Sequence, residues 1–143
     1  MAWKLTAVAG VTALAATSLI IAVGFVMRTP SNQGVMLILD RTELYSGQHT
    51  LKYTIVNNLE EPISFGAAYD VQMLRDGDWV SVEWMKDRVW IMVLYTLRSG
   101  ESFSGLAELA EDVEPGRYRL VKEVTAENTG RKITLTAEFE VLN

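Results

Sequence analysis

Few residues of this 143-residue chain have side chains that could form a catalytic or metal-binding group. His49 is the only histidine and the chain has no cysteine. A histidine metal cluster, a serine–histidine pair and a thiolate nucleophile therefore all lack their usual members. Without cysteine there is also no disulfide framework and no lipid attached through a cysteine. We predict that the protein is not an enzyme.

Two acidic groups resemble cation sites in composition only. The segment Asp76–Asp78 lacks the later carboxylates of a twelve-residue calcium loop and is interpreted as the tip of a β-hairpin. The second group either binds a divalent cation weakly or stays solvated on a loop, and solvation is favoured because a run of carboxylates need not converge. Its members are Glu108, Glu111, Asp112 and Glu114. We expect neither a metal nor a cofactor.

The charge distribution argues against a polyanionic partner. All 18 acidic residues but only 11 of the 13 basic residues lie from Val35 onward, which gives that part of the chain a formal charge of −7. Binding to a phosphate backbone draws on clustered lysine and arginine. We therefore expect no nucleic-acid partner.

Aromatic and apolar residues between positions 79 and 97 are the strongest candidates for binding. The stretch VWIMVLYTL, Val89 to Leu97, is predicted to be a strand with apolar residues on both faces, although a sandwich strand normally leaves one face in water. The second face is covered either within the domain or by another copy, a partner or the membrane surface, because large exposed apolar patches mark interaction sites. The interaction candidates are Trp79, Trp84, Trp90, Met92 and Leu94, the last three on the face without an evident partner in the domain.

Residues 1–27 form a separate apolar segment. Leu5–Met27 runs for 23 residues without a charge between Lys4 and Arg28. A helix of that length reaches about 35 Å, enough for a hydrocarbon core of about 30 Å. We predict one hydrophobic helix that anchors the protein in the cell membrane through residues 5–27, with the N-terminus inside because the amino terminus and Lys4 outweigh Arg28.

Cleavage of this segment as a secretory signal is the alternative. Small residues at the spacing required by signal peptidase end at Ala15 and at Gly24. A cut at the first site leaves an apolar new terminus, and a cut at the second needs an unusually long apolar region. The protein is then either single-pass with its C-terminal domain outside the cytoplasm or secreted.

The rest of the chain is predicted to be all-β. Residues 28–34, RTPSNQG, are interpreted as a linker, and residues 35–143 as one domain. Strand-like stretches recur at the spacing of an antiparallel sandwich or barrel, with no helical period. Leu51, Tyr53 and Ile55 alternate with polar residues, as do the apolar residues of ITLTAEFEV near the C-terminus. The count is seven to nine strands.

A turn followed by a tyrosine specifies the architecture further. In PGRYRL, Pro115 and Gly116 reverse the chain and place Tyr118 at the entrance of the next strand. This is the layout of a tyrosine corner, in which the hydroxyl returns to backbone a few residues upstream. We expect its acceptor between Glu111 and Pro115; an ordinary core tyrosine after a turn is the alternative.

Several motifs together resemble a known family. YTIVNNLEEPISFGAAYDVQML, GDWVSVEW, LRSGES, VEPGRYRLVKEV and TLTAEFEV look like the bacterial immunoglobulin-like domain family, found in extracytoplasmic proteins of Gram-positive bacteria. The resemblance implies an immunoglobulin-like antiparallel β-sandwich and a binding or structural module without catalytic residues. Many members follow a lipid-attached cysteine, which this chain lacks; the predicted helix would serve the same purpose.

Two functional hypotheses follow. The first is a non-enzymatic extracytoplasmic binding module at the cell membrane, which contacts another envelope or membrane protein through its loops or its tryptophan-rich sheet. The alternative is an accessory sensor domain that binds a small envelope ligand in a pocket at one end of the sandwich.

Overall fold

The computed structural model describes residues 34–143, which form an all-β sandwich of two sheets. Ten strands alternate with turns and one 3₁₀ turn at Glu83–Met85. The strands are β1 Val35–Leu39, β2 Glu43–Tyr45, β3 Thr50–Asn57, β4 Ile63–Phe65, β5 Asp70–Arg75, β6 Asp78–Ser81, β7 Tyr95–Leu97, β8 Ser102–Glu108, β9 Gly116–Ala126 and β10 Arg131–Leu142. The predicted count of seven to nine is too low, because a three-residue strand such as β2 is too short for a periodic signal.

The predicted membrane segment, residues 1–27, lies outside the described residues, as does the linker except for Gly34. Within residues 34–143, no helix has both the length and the apolar character needed to cross a membrane.

The two sheets differ in size. The first has the order β1-β3-β8, and all its pairs are antiparallel. The second has the order β2-β10-β9-β4-β7, with β5 also paired to β9 and β6 paired to β5. Its edge pair β2–β10 is parallel, which departs from the fully antiparallel sandwich predicted.

Alternating residues build the core between the sheets. Leu51, Tyr53 and Ile55 of β3 are buried, as the alternation predicts. On β10, Ile133, Leu135, Phe139 and Val141 are buried and Ala137 is partly buried. The domain therefore buries the inner face of each sheet, as a two-layer sandwich requires.

The predicted hairpin tip at Asp76–Gly77 is confirmed. Strands β5 and β6 pair antiparallel with Arg75 opposite Asp78. Asp76 has φ 50° and Gly77 has φ 87°, the positive values that a type I′ turn demands at both central positions. These residues serve the turn rather than a calcium loop.

The predicted strand from Val89 to Leu97 is wrong for its first six residues. Only Tyr95–Leu97 forms a strand, and it pairs with the three residues of β4. Beyond Phe65 the neighbouring chain leaves the ladder at Gly66, so residues 89–94 have no strand beside them with which to pair.

Tyr118 closes one end of the second sheet. Its hydroxyl donates a hydrogen bond to the Glu114 carbonyl at 2.6 Å, within the connection where the sequence places the acceptor. Its ring stacks on Phe139 at a centroid distance of 5.6 Å. Burial raises the pKa of the Tyr118 phenol, so the hydroxyl keeps its proton and remains a donor at neutral pH.

We expect Tyr118→Phe to lower the free energy of unfolding by about 1–2 kcal/mol, because the hydrogen bond from the buried Tyr118 to the Glu114 carbonyl is lost while the ring packing is kept. Urea unfolding of a fragment spanning 28–143 measures the change. Tyr45→Phe is the matched control, since Tyr45 is exposed. A loss of only a few tenths of a kcal/mol for Tyr118→Phe would show that its ring merely fills space.

Candidate functional site

An aromatic cleft occupies one open side of the sandwich, where β8 of the first sheet meets β7 of the second. Phe103 of β8 and Tyr95 of β7 lie 4.7 Å apart between ring centroids, and Tyr69 contacts Trp90 edge to face at 4.6 Å. With Tyr53 they line a cleft of about 270 Å³, which we call the side cleft. Aromatic rings in such arrangements add rigidity as well as buried area.

Arg88 holds the chain just before Val89 against the side cleft. Its guanidinium lies 5.5 Å from the Tyr69 ring centroid and 5.3 Å from that of Trp90. It also donates to the Glu108 carbonyl at 2.9 Å and approaches the Glu108 carboxylate at 3.3 Å. Cation–π and charge-assisted contacts therefore fix the chain at position 88 against β8.

Lys122 is buried beneath the side cleft, at 1% exposure. Its ammonium donates to the carbonyls of Gly66 and Ala68, both at 2.7 Å. The Phe65 and Tyr53 rings lie 5.4 and 5.9 Å from its nitrogen. Burial without a carboxylate partner among the described residues lowers the pKa of Lys122 from 10.5 to about 8.

The two carbonyls belong to a bulge between β4 and β5. Both strands pair with β9, through Ser64 opposite Thr125 and Asp70 opposite Val121. Five residues, 65–69, therefore lie opposite three, 122–124. The extra residues leave the ladder, and Lys122 supplies the donors that their inward carbonyls would otherwise lack.

Beside the cleft, residues 89–94 form an exposed apolar segment, hereafter the 89–94 segment. The exposed fractions are 92% for Val89, 68% for Ile91, 98% for Met92 and 72% for Leu94. Within the described part of the chain, none of its six residues makes a backbone–backbone hydrogen bond. The segment thus presents apolar side chains to solvent, while its peptide groups form no hydrogen bond with the backbone of residues 34–143.

The structure places the five predicted interaction residues in four different surroundings. Trp79 lies on β6 with the Arg119 guanidinium 4.6 Å from its ring centroid. Trp84 lines a second cleft at the end of the sandwich. Trp90 is half-buried in the side cleft, whereas Met92 and Leu94 are exposed, so these three do not share a face as expected. The alternation fails because the segment is not a strand.

The second cleft, the end cleft, has a volume of about 370 Å³. Trp84, Met73 and Tyr118 contribute to its wall, so it lies against the turn that Tyr118 closes. Charged side chains of both signs also line it, and two of them, Arg75 and Glu114, approach each other to 3.4 Å.

The remaining titratable residues are distributed without convergence. His49 is exposed, with its Nδ1 3.4 Å from the Gly47 carbonyl. Glu108 and Glu114 of the acidic run pair with Arg88 and Arg75 respectively. Across residues 34–143, no group of three or more histidine, aspartate or glutamate side chains is placed to hold a metal ion.

A protein-family match covers most of the chain. A model described as "Bacterial Ig-like domain" matches residues 31–140, and the chain belongs to this family. The resemblance seen in the sequence is thereby confirmed. Domains of this family are generally non-catalytic, and membership suggests a non-enzymatic extracellular module. No curated protein matches the chain.

One solved structure supports the fold. The X-ray structure of Northeast Structural Genomics Consortium target SoR45 aligns with a TM-score of 0.55 at 12% identity, over 80% of this chain and 90% of that one. Spo0M, a sporulation control protein from Bacillus subtilis, aligns with a TM-score of 0.46 at 13% identity, over 77% of this chain and 49% of that one. The first likeness shows the fold alone.

We expect the stability of the domain to rise with pH between 7 and 9.5. Below pH 8 both the folded and the unfolded chain hold the Lys122 proton; above it only the unfolded chain does, until pH 10.5. The free energy of unfolding therefore increases, by about 2 kcal/mol up to pH 9.5. Urea unfolding of wild type and Lys122→Met at each pH isolates this contribution.

The upper limit of pH is chosen to avoid tyrosine ionisation. Burial raises the pKa values of Tyr53 and Tyr69 above 10, so these groups lower stability as the pH passes 10, the opposite sign. A stability difference between wild type and Lys122→Met that stays constant from pH 7 to 9.5 would contradict the depressed pKa of Lys122.

Proposed function

We propose that this protein is a non-enzymatic extracytoplasmic interaction module that is held at the cell membrane by residues 5–27. It binds a protein of the cell envelope through the 89–94 segment. The single observation that carries the proposal is that one segment combines four highly exposed apolar side chains with a backbone that, within residues 34–143, forms no backbone hydrogen bond. Exposed apolar patches of this kind mark interaction sites.

The energetics favour this segment over the rest of the surface. A contact that buries aliphatic side chains gains about 25 cal/mol per Å² of apolar area, whereas exposed ion pairs contribute little. No charged residue occurs between Val89 and Leu97, so binding there buries no uncompensated charge. Trp79, with Arg119 over its ring, is a secondary contact on the other side of β5.

The fixed ends of the segment also favour binding. Arg88 is held against Glu108 and Tyr69, and Tyr95 is held in the β4–β7 pair. Between them Trp90 packs on Tyr69. A loop fixed at three points loses less conformational entropy on binding than a free one, which raises affinity.

Location at the membrane is supported by the apolar stretch and the short linker. Seven residues, 28–34, reach at most about 23 Å when extended. The domain would then remain close to the outer surface of the membrane, within reach of envelope and membrane proteins. Its acidity disfavours adsorption to anionic lipid headgroups.

A second candidate function uses the end cleft. Its volume of about 370 Å³ and its mixture of apolar wall and charged rim suit a small polar envelope ligand, as a sensor domain requires. Substitution of Trp84, which lines the end cleft, would then abolish ligand binding without affecting protein capture, whereas Met92 substitutions would do the reverse.

We expect alanine substitutions at Trp90 and Met92 to separate stability from binding. Trp90→Ala removes the contact with Tyr69 and should cost about 1–3 kcal/mol of unfolding free energy. Met92→Ala should change stability by no more than about 0.5 kcal/mol, because its side chain is 98% exposed. Capture of the envelope partner by crosslinking in native membranes should fall with Met92→Ala.

Ile38→Ala is the matched control, since Ile38 is an exposed aliphatic residue on β1, away from the side cleft. It should leave partner capture unchanged. Undiminished capture in a folded Met92→Ala, Leu94→Ala double variant would remove the 89–94 segment from the proposal.

We expect the protein to keep residues 1–27 and to expose its C-terminus outside the cytoplasm. The intact mass of protein extracted from membranes should match the whole chain, and protease added to intact cells should remove a C-terminal tag. A mass lacking the first 15 or 24 residues would identify a secreted protein instead.

A further inference from the structure

The Tyr53 hydroxyl is a polar group at the side cleft for which the fold has no use. Tyr53 is only 4% exposed, and its hydroxyl makes no hydrogen bond within residues 34–143. Every fully enclosed side-chain nitrogen or oxygen of those residues has a partner, so this hydroxyl is not enclosed. It lies beside Gly105, and both residues line the side cleft. The hydroxyl therefore opens into the cleft.

Gly105 makes the room through which the phenol reaches the cleft. It lies opposite Tyr53 in the β3–β8 pair, on the edge strand of the first sheet. A Cβ atom at Gly105 would lie 2.7 Å from the Tyr53 oxygen, a contact that real side chains do not make. A glycine inside a strand weakens its packing and often marks a place where a ligand approaches closely. The first sheet thus lacks a side chain where the Tyr53 hydroxyl meets the cleft.

Three aromatic rings and one ion pair complete the lining. Trp90, Tyr95 and Phe103 are each half-buried, so part of every ring remains accessible from the cleft. Arg88 and Glu108 pair at the rim, where the Glu108 side chain is 67% exposed. The cleft therefore combines aromatic surface with a hydroxyl, a guanidinium donor and a carboxylate acceptor.

We propose that the side cleft binds one pyranose ring of a neutral glycan whose ring substituents are equatorial. The C–H groups of such a ring are polarised by the neighbouring oxygens and pack against the negative faces of aromatic rings. Its hydroxyls both donate and accept, which matches the Tyr53 phenol and the Arg88–Glu108 pair. The site goes beyond the protein contact proposed for the 89–94 segment and does not depend on it.

The groups around the cleft disfavour the other classes of ligand. A cation would approach the Arg88 guanidinium at the rim and the Lys122 ammonium beneath the cleft. An anion would approach the exposed Glu108 carboxylate, which already occupies Arg88, on a domain of net negative charge. A wholly apolar ligand would cover the Tyr53 hydroxyl without giving it a partner, which costs binding free energy. A neutral hydroxylated ring meets none of these penalties.

The cleft is formed before a ligand arrives. Lys122 fixes the carbonyls of Gly66 and Ala68, on either side of Ala67, which lines the cleft. A site that is already fixed loses little conformational entropy on binding. Its volume of about 270 Å³ lies below the roughly 300–1,000 Å³ of sites for drug-sized molecules, which suits a single ring.

Four hexasaccharides with the same equatorial linkage and ring configuration test the class of ligand. Cellohexaose and chitohexaose, built from glucose and N-acetylglucosamine, are neutral. The corresponding glucosamine chain is cationic and the glucuronic acid chain is anionic at about pH 5.5. Binding to the full chain is measured at that pH by isothermal titration calorimetry, in a detergent without a sugar headgroup. We expect at least one neutral chain to bind, and both charged chains to bind at least about tenfold more weakly.

Tyr53→Phe tests the hydroxyl itself. The substitution keeps the ring and removes no hydrogen bond within residues 34–143, so the midpoint of urea unfolding should stay unchanged. Affinity for the neutral hexasaccharide should fall about tenfold, because a hydroxyl of the ligand loses its partner. Tyr45→Phe is the matched control, since Tyr45 is exposed on β2 at the opposite edge of the second sheet, and it should bind as the wild type does.

The glycan site and the protein contact fail separately. Tyr53→Phe should leave capture of the envelope protein unchanged, and Met92→Ala should leave hexasaccharide binding unchanged. The glycan site would be overturned if neither neutral chain bound, if charged and neutral chains bound equally, or if Tyr53→Phe bound as tightly as the wild type. None of these results would affect the contact proposed for the 89–94 segment.

Discussion

Carbonyl groups that face an apolar interior must find hydrogen-bond donors, and in this domain Lys122 is the donor for two of them. The carbonyls are there because five residues of the β4–β5 connection lie opposite only three of β9. An ammonium on a long flexible side chain reaches both oxygens from β9. The unfavourable burial of that charge is offset in part by the Phe65 and Tyr53 rings beside it.

The bulge determines what happens at the edge of the sheet. Because β4 ends at Phe65, the strand that pairs with it is limited to three residues, and the chain before Tyr95 has no ladder to join. In place of strand pairing, the Trp90 ring packs against Tyr69, and the neighbouring aliphatic residues remain in solvent. A structural irregularity in the core thus produces the surface on which the proposed binding depends.

The regular parts of the fold could be predicted from the sequence, and the irregular parts could not. The alternation of apolar and polar residues predicted β3 and β10, and Asp76–Gly77 predicted a hairpin. Both signals depend only on residues that are neighbours in the sequence. The failure at Val89–Leu94 has a non-local cause, the bulge at Gly66. Lys122 could have been noticed, since it shares the inward alternation of Tyr118 and Leu120, but its acceptors lie more than 50 residues away.

The tryptophan-rich region therefore contains two kinds of apolar residue that composition alone cannot separate. Trp90 packs its ring into the side cleft and stabilises the domain. Met92 and Leu94 contribute almost nothing to the stability of the isolated domain, because most of their surface remains in water. Apolar residues that do not stabilise the monomer but lie on a segment held at Arg88, Trp90 and Tyr95 gain a favourable free energy only when another surface covers them. The arrangement thus favours association over further stability of the single domain.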